Sequence, residues 1–258
     1  MKKLFRKIIK EILAKTSNFI VSKNRIKFIT IFGNYNQDVA VECIYTILKD
    51  NSSNVFRNYV DFERDLDVSY FILSNKENFT IMGFFLLMIK FPILIFSRKY
   101  KDRVIILNLS TFNASVIKYY SEFIHSDIFL LLDVTKKALI YEDQIMKDSK
   151  KDAYVIIDGD STSRKIITFD FSKRILSFGL NPNNDLIYKP TSKYIDITYN
   201  ENHIEIQNNF KNVDPKILVA CLLTSIAYGI TFHNAISSLE KFYIPNRDFQ
   251  KVFEKFIK

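Results

Sequence analysis

The sequence has few residues that could form a metal site or a disulfide framework. It contains two cysteines and three histidines among 258 residues. Cys43 and Cys221 lie within apolar helical patterns and form no Cys-x-x-Cys motif, while His125, His203 and His233 are far apart in the sequence. A structural zinc site needs such ligands at short, regular spacing. We therefore exclude that class of site and predict that both cysteines are buried free thiols.

The sequence also lacks an evident internal repeat, a low-complexity linker and a signal peptide. Its first residues are too charged for the apolar core of a signal peptide, and no small-residue cleavage site follows them. We expect a cytoplasmic protein, or one at the inner face of the membrane. The length and the 48% hydrophobic content suffice for a substantial core. We predict a helix over residues 1–24 and a single domain over residues 25–258.

Acidic residues are scarce at both ends of the chain. Residues 1–27 contain nine Lys or Arg and one acidic residue, Glu11, and residues 241–258 contain five basic and two acidic residues. A nucleic-acid-binding protein would more often spread Lys and Arg over a folded face together with aromatic residues, so we expect no nucleic-acid partner. The basic ends favour an anionic membrane surface or an acidic protein partner.

The opening segment, "MKKLFRKIIKEILAKTSNFI", is predicted to form a basic amphipathic helix. Its apolar residues recur at helical spacing, with Lys and Arg on the other face. These residues are Leu4, Phe5, Ile8, Ile9, Ile12 and Leu13. We favour packing of this stripe on the chain's own domain. The alternative is that residues 1–22 dock on an anionic membrane surface.

From residue 27 onward, strand patterns alternate with helix patterns. Continuous apolar strands separated by helices predict an α/β fold with a mainly parallel sheet and helices on both faces. The segment "KYIDITYNENHIEIQNN" predicts a small antiparallel hairpin, and "DPKILVACLLTSIAYGI" a helix capped by Asp214 with Pro215 in its first turn. The predicted strands are 27–32, 67–74, 103–110, 127–134, 153–160, 165–170 and 174–179; the other predicted helices are 38–50, 78–91, 113–125 and 231–242.

The apolar run at residues 79–97 has about the length that crosses a bilayer. Lys90 falls inside it, however, and a charge at mid-membrane costs at least ~2.5 kcal/mol. Pro92 is expected to break the helix. We therefore favour a buried helix followed by a turn over a transmembrane span.

The loop "FGNYNQDV" lies between a predicted strand and a predicted helix, where nucleotide-binding folds hold phosphate. Such a loop needs glycines, a Lys for the terminal phosphates and a hydroxyl for Mg²⁺. Gly33 and Asn34 begin the candidate phosphate-binding loop, but Asn36, Gln37 and Asp38 occupy the positions of the second glycine, the lysine and the hydroxyl. A carboxylate facing the site would repel a triphosphate. Asp38 would equally be favoured as a first-turn helix residue.

The order of these elements resembles the central ATP-binding domain of the Mur ligases, and most of all the branch that adds D-alanyl-D-alanine. The similarity covers most of residues 5–250. It includes "RVIILNLSTFNASVIKYYSEFIHSDIFLLLDVT", "AYVIIDGDS", "RILSFGL" and "IAYGITFHNAISSLEKFYIPNRDF". The resemblance implies a phosphate-loop α/β fold and ATP-dependent joining of an amino acid to an acid. By this resemblance, we expect a basic helix in place of the family's amino-terminal domain and no counterpart of its carboxy-terminal domain within these residues.

The residues that this family uses for catalysis are changed here. Asn108 replaces the strand Glu that holds Mg²⁺, Ala138 replaces a metal-binding His, and Lys147 is not a secure counterpart of the carbamylated Lys. The Asn expected near the adenine is missing around residues 215–217. Removing one such preorganised group typically costs ~10²- to 10³-fold in rate. We therefore expect no catalytic residues and no cofactor, with ATP and Mg²⁺ only if the enzyme alternative holds.

Some polar residues remain at the ends of predicted strands. Asp133, Asp158 and Asp160 are candidate metal ligands, although turn and cap roles are favoured, and Arg247 could meet an anion. Our first hypothesis is a non-catalytic binding or scaffold protein with a protein partner, linked to the cell envelope. The alternatives are an ATP-dependent acid-amino acid ligase with a remodelled site or a partner subunit, and a peripheral membrane protein.

Overall fold

A nine-stranded sheet forms the centre of the protein. The computed structural model describes residues 2–33, 36–52, 54–58, 65–76, 78–109, 124–132, 150–161, 174–208 and 213–242. The strands follow the spatial order β2-β3-β1-β4-β5-β6-β7-β8-β9, parallel from β2 to β7 and antiparallel across β7-β8 and β8-β9. Their bounds are β1 Lys27–Gly33, β2 Val55–Arg57, β3 Val104–Asn108, β4 Ile128–Leu132, β5 Tyr154–Asp158, β6 Arg174–Gly179, β7 Leu186–Pro190, β8 Tyr194–Tyr199 and β9 Asn202–Gln207.

Helices cover both faces of this sheet. Those in the described residues are α1 Lys2–Asn24, α2 Gln37–Asn51, α3 Asp65–Ser74, α4 Ile81–Phe96, α5 Pro215–Tyr228 and α6 Phe232–Phe242, with a short 3₁₀ turn at Arg98–Tyr100. One apolar core lies between the sheet and α1, α3 and α4, and a second lies between the sheet and α2, α5 and α6. The strands β1, β3 and β4 are buried along most or all of their length, as strands covered on both faces should be. The predicted fold class is confirmed.

The carboxy-terminal elements follow the sequence signals closely. Asp214 accepts a hydrogen bond from the backbone N–H of Lys216 at 2.9 Å, and Pro215 opens α5. The hairpin β8-β9 turns at Asn200 and Glu201, which both have positive φ. Asparagine tolerates that conformation better than most residues, so the predicted turn forms where it was expected. Both cysteines are buried free thiols, as predicted.

Residues 67–74 were predicted as a strand, and this was wrong. They belong to α3, which buries Val68, Phe71 and Ile72 against the sheet and ends at Asn75 in the left-handed conformation. A short apolar run does not distinguish a buried strand from a buried helix. The edge of the sheet is taken instead by β2, a three-residue strand that the sequence pattern did not reveal. The strand β7 was also missed.

Helix α4 differs from its prediction in two ways. It continues through Pro92 to Phe96, so the proline does not break it. Thr80 caps its start by accepting a hydrogen bond from the N–H of Gly83 at 3.1 Å, and Phe91 and Leu94 pack on the core around the proline. Only part of the helix is buried, because one apolar side faces outward. Within the described residues, no helix combines the length and the apolar content needed to cross a bilayer.

The apolar stripe of α1 is divided between the core and the surface. Ile9 and Leu13 are buried in the core beneath the sheet, together with Ile20 from the same helix. Leu4 and Phe5 are exposed, as are Ile8 and Ile12. The helix therefore packs on the domain with one side and leaves a second apolar side uncovered. The predicted strand 165–170 lies outside the described residues, and so does most of the predicted helix 113–125.

Candidate functional site

The candidate site begins where β1 ends, at Gly33. The backbone here lies so close to β4 that a Cβ atom on Gly33 would be 1.9 Å from the carbonyl oxygen of Leu132, and φ is +157°. Only glycine allows this approach without displacement of the backbone. The close approach of β1 and β4 therefore accounts for a glycine at the end of β1. Asn34, the next predicted site residue, lies outside the described residues.

Asn36 and Gln37 lead into α2. Asn36 has left-handed backbone angles, φ 55° and ψ 26°, and its side chain makes no capping hydrogen bond to the helix. Gln37 is buried, and its amide nitrogen Nε2 has no hydrogen-bond partner among the described residues. A buried amide that lacks a partner costs about 1–3 kcal/mol. The start of α2 thus holds polar groups without the second glycine and the lysine of a phosphate-binding loop.

Asp38 joins the start of α2 to the end of β3. Its carboxylate Oδ1 accepts a hydrogen bond from Nδ2 of Asn108 at 3.0 Å. The strands β1 and β3 are neighbours and run parallel, so the first turn of α2 lies beside the carboxyl end of β3. By the resemblance to the Mur ligases, Asp38 occupies the position of the hydroxyl residue of the phosphate-binding loop. Asn108 occupies the position of the Glu that holds Mg²⁺. The structure brings them into direct contact, with the carboxylate on the helix and the amide on the strand.

Asn58 fixes the backbone of Asn108. Its side-chain Oδ1 accepts from the N–H of Asn108 at 2.9 Å, and its Nδ2 donates to the carbonyl of Asn108 at 3.2 Å. This side-chain amide replaces the peptide group that a longer β2 would supply. The Oδ1 atom of Asn108 remains buried without a partner among the described residues. Sequence reasoning missed Asn58, because nothing local to it points to a residue 50 positions away.

A buried ion pair lies farther along α2. Arg57 at the end of β2 contacts Glu42 through Nη2, at 2.7 Å from Oε2 and 2.9 Å from Oε1, and its guanidinium stacks on the ring of Tyr45 with 3.4 Å to the centroid. Burial raises the pKa of the Glu42 carboxyl, and the charge of Arg57 opposes that rise. Desolvation is the larger effect, and the charge of Arg57 offsets part of it. Sequence analysis did not identify the pair.

Asp158 and Asp160 are engaged in structural contacts. Asp158 forms an ion pair with Lys216 at the start of α5, with Nζ 2.7 Å from Oδ2, and its Oδ1 accepts from the N–H of Asp160 at 2.9 Å. The carboxylate of Asp160 accepts from the backbone N–H groups of Leu180 and Asn181 and from Nδ2 of Asn184. Asp158 therefore connects β5 to α5, and Asp160 organises the turn that follows β6.

The surroundings of these two aspartates are negatively charged. The pKa of Tyr188 is raised to about 12, chiefly by burial; the carboxylates of Asp214, Asp158 and Asp160 also raise it, while Lys216 lowers it. Asp158 ends β5, which is separated from β1 by β4, so it lies roughly two strand spacings, about 10 Å, from Gly33. Asp133, Ala138, Lys147 and Arg247 lie outside the described residues, and their assigned roles stay predictions.

A second group of acidic and histidine side chains lies on the β8-β9 hairpin. The candidate ligand atoms of Asp196, His203 and Glu205 are all within 4.8 Å of one another. Asp196 and Glu205 are cross-strand partners, which explains their proximity. Two of the three residues are exposed, and exposed acidic groups at this separation are common without a metal ion. Sequence analysis did not identify this group, and we assign it no function.

The fold is similar to several solved ligase structures. The UDP-N-acetylmuramoylalanyl-D-glutamyl-2,6-diaminopimelate--D-alanyl-D-alanyl ligase from Acinetobacter baumannii matches with a TM-score of 0.67 and 13% identity, over 90% of this chain and 49% of that one. The MurF ligase from Thermotoga maritima in complex with ADP matches with 0.64 and 13%, over 88% and 52%. Escherichia coli FolC in complex with DHPP and ADP matches with 0.56 and 10%, over 90% and 61%.

These similarities establish the fold and leave activity open. No protein-family model and no curated protein sequence matches the chain. The chain spans between about half and three-fifths of the length of these three proteins. At identities this low the common property is the arrangement of strands and helices, which agrees with the parallel sheet and its antiparallel extension. The chain therefore has the α/β fold of the Mur ligases.

Proposed function

We propose that this chain is a non-catalytic Mur-ligase-like domain that acts as a binding or scaffold protein with a protein partner, in a process linked to the cell envelope. The observation that carries the proposal is the contact between Asp38 and Asn108 at 3.0 Å. In a phosphate-binding loop of this fold, those positions supply a hydroxyl and a carboxylate for Mg²⁺. Here the helix position holds the carboxylate and the strand position holds a neutral amide.

The charge of Asp38 opposes nucleotide binding. Two unit charges 4 Å apart at an effective dielectric near 20 repel by roughly 4 kcal/mol, which corresponds to about a thousandfold in affinity. The lysine that would offset this repulsion is replaced by Gln37, which is neutral and buried. The loop keeps Gly33, while the charge at Asp38 has the wrong sign for a triphosphate. These features support loss of the ATP-dependent reaction.

The link to the cell envelope rests on similarity of fold. Structures of similar fold include the Acinetobacter baumannii ligase named above and a pseudomurein peptide ligase type C from Methanothermus fervidus. The first is named as a ligase of a UDP-N-acetylmuramoyl peptide and D-alanyl-D-alanyl, and the second as a ligase of a pseudomurein peptide. A domain that keeps this fold without the reaction could still bind a related precursor or a protein of the same machinery. We propose that class of partner for this chain.

A second candidate function is an ATP-dependent acid-amino acid ligase with a remodelled site or a partner subunit. One observation favours it. Nε2 of Gln37 and Oδ1 of Asn108 are buried at the carboxyl end of the sheet and lack partners among the described residues. Buried polar atoms of this kind are usually satisfied by a ligand, a water or another protein group. A bound nucleotide in an altered orientation would satisfy them under this alternative.

Calorimetric titration of the full chain with ATP and Mg²⁺ separates the two candidates. The expected result is no heat of binding at micromolar nucleotide and no release of phosphate. The variant Asp38→Asn serves as the charge control, because it removes the repulsion and keeps a side chain of the same shape. Micromolar binding together with hydrolysis by the unaltered chain would overturn the non-catalytic proposal. Binding without hydrolysis would favour a nucleotide-dependent scaffold and contradict the repulsion argument.

A further inference from the structure

Two helices on the same side of the sheet expose a large number of apolar side chains. In α4 these side chains recur on one side of the helix, and in α1 they lie beside the buried stripe. We call them together the α1-α4 surface. Its apolar members are Leu4, Phe5, Ile8, Ile12 and Phe19 from α1, and Ile81, Met82, Phe85, Leu86, Ile89, Ile93 and Phe96 from α4. Soluble proteins rarely expose apolar residues in such number without a binding partner.

Lys23 connects exposed residues at the ends of the two helices. Its Nζ donates to the carbonyl oxygen of Ile95 at 2.6 Å, which joins the end of α1 to the end of α4. The same ammonium lies 5.8 Å from the ring centroid of Phe19 and 5.4 Å from that of Phe96. The exposed rings of both helices therefore meet around one lysine. The two helices are held together at that end.

The most exposed side chains belong to α4. Phe96 is 85% exposed and Ile89 is 75% exposed, whereas Phe84 and Leu87 on the opposite side are buried in the core. With 16 residues the helix is about 24 Å long, which is shorter than the ~30 Å core of a bilayer. Its inner side is fixed to the domain. A membrane could therefore take up this helix only lying flat, with its outer side in the interfacial region.

The charge around this surface is almost entirely positive. Residues 4–24 and 81–101 contain nine Lys or Arg and one acidic residue, Glu11, so they carry +8 of the formal +9 of the chain. Lys90 lies within α4, and Arg98 and Lys99 follow directly after it, all of them exposed. Each basic residue near an anionic lipid surface contributes about a factor of five in affinity, from about 1 kcal/mol. Apolar and basic side chains thus occur on one surface.

We propose that the α1-α4 surface docks on an anionic lipid bilayer, with α4 lying in the membrane interface. The proposal extends the predicted role of residues 1–22 to α4 and is independent of the fate of the nucleotide site. A protein partner fits less well, because Lys is depleted at protein interfaces and is the chief charged residue here. A second copy of the chain fits less well too. A two-fold dimer through this surface would bring two strongly positive patches together.

Flotation of the full chain with vesicles tests the proposal directly. We expect binding to vesicles that contain phosphatidylserine, weak binding to vesicles of phosphatidylcholine alone, and loss of most binding at high salt. The variant Ile89→Gln/Ile93→Gln changes exposed positions only, and we expect its apparent partition coefficient to fall at least tenfold. The matched control is Ile175→Gln/Leu180→Gln, which alters two exposed apolar residues outside the α1-α4 surface. Its binding should equal that of the unaltered chain.

The absence of tryptophan from the sequence allows a second measurement. A single Phe85→Trp substitution places the one indole of the chain on the exposed side of α4, and Tyr194→Trp places it on β8 instead. We expect the emission of the first variant to shift to shorter wavelength with anionic vesicles, because the indole enters an apolar environment. The emission of the second should not change. This readout reports insertion of α4 and does not depend on ligase activity or on ATP.

Several results would overturn the proposal. One is equal flotation with neutral and anionic vesicles, and another is no flotation with either. Equal flotation of the Ile89→Gln/Ile93→Gln variant and the unaltered chain would exclude α4 as the docking element. Stable self-association that disappears in this variant, without vesicle binding, would identify a second copy of the chain as the occupant. Circular dichroism of each variant confirms that it is folded, so that loss of binding reports on the surface.

Discussion

Asp38 and Asn108 are hydrogen-bonded across the carboxyl end of the sheet, with 3.0 Å between the carboxylate oxygen and the amide nitrogen. The two residues are 70 positions apart in the sequence. Asn58 holds Asn108 from the other side through two further hydrogen bonds. The amide of Asn108 is thereby directed at Asp38. This hydrogen bond joins the carboxylate of Asp38 to the neutral amide of Asn108. A single substitution that places a second carboxylate there should therefore destabilise the contact.

We predict that Asn108→Asp makes the stability of the protein depend on pH. Two carboxylates at this distance cannot both ionise freely, so the pKa of the pair rises in the folded state. The folded variant then binds more protons than the unfolded chain, and stability falls as pH rises through that interval. Urea denaturation at about pH 5 and about pH 8 measures the difference, which we expect to reach about 2 kcal/mol. Millimolar Mg²⁺ should restore part of the loss at the higher pH.

The double variant Asp38→Asn/Asn108→Asp is the control for this prediction. It exchanges the two side chains, keeps a single carboxylate and preserves one amide-to-carboxylate hydrogen bond. Its stability should differ little between the two pH values, and Mg²⁺ should have little effect on it. If Asn108→Asp were equally stable at both pH values, the two side chains would not face each other as the structure has them.

Gly33 provides a prediction about the loop itself. Replacing it by Ala would place a Cβ atom 1.9 Å from the carbonyl oxygen of Leu132, so β1 and β4 would have to separate. We expect a loss of at least 3 kcal/mol, comparable to severe overpacking. Gly229 is the control, because its φ is also positive, at +114°, but a Cβ atom there meets no atom within 4 Å. Gly229→Ala should cost only about 1–2 kcal/mol, from backbone conformation alone. Equal losses in thermal denaturation would contradict the close approach of the strands.

The sequence predicted those features that depend on local patterns. The strands β1, β3, β4 and β5, the helix α2 and the cap of α5 are specified by apolar runs, a glycine turn or a capping residue close at hand. Helix α3 was missed because an apolar run of eight residues fits a helix and a strand alike. Asp38 could be placed in the first turn of α2, but its partner could not be named. The partner, Asn108, comes close to Asp38 only because β3 pairs with β1 in the folded sheet.

The third prediction concerns the ion pair of Arg57 and Glu42. The sequence did not reveal it, because β2 and α2 bring the two residues together only in the folded protein. Arg57→Met removes the positive charge and leaves the Glu42 carboxylate buried without its partner. Removing one partner of a buried ion pair typically costs 3–5 kcal/mol. The pKa of Glu42 is already raised by burial, and without Arg57 it should rise further. A raised carboxyl pKa means that stability is lost as pH increases, so Arg57→Met should be less stable at about pH 8 than at about pH 5.

A second substitution in the same pair tests this account. Glu42→Gln/Arg57→Met removes both charges and keeps side chains of similar volume. We expect it to recover most of the stability that Arg57→Met loses, and to show no dependence on pH between those values. Urea denaturation of Arg57→Met, Glu42→Gln and the double variant gives the coupling free energy of the pair. A coupling near zero would show that Arg57 acts through its stacking on Tyr45 and not through its charge.

The last prediction concerns Asp160, a candidate metal ligand by sequence whose carboxylate holds a turn in the structure. Its carboxylate accepts hydrogen bonds from two backbone N–H groups and from Nδ2 of Asn184. Asp160→Ala removes all three hydrogen bonds from an exposed turn where water can partly replace the carboxylate, so we expect a loss of about 1–2 kcal/mol. Asp160→Asn keeps one acceptor oxygen and should lose less. In the unaltered chain, millimolar Mg²⁺ or Mn²⁺ should leave the midpoint of thermal unfolding unchanged. A midpoint that rises with either ion, and no longer rises in Asp160→Asn, would show that the carboxylate binds metal in addition to holding the turn.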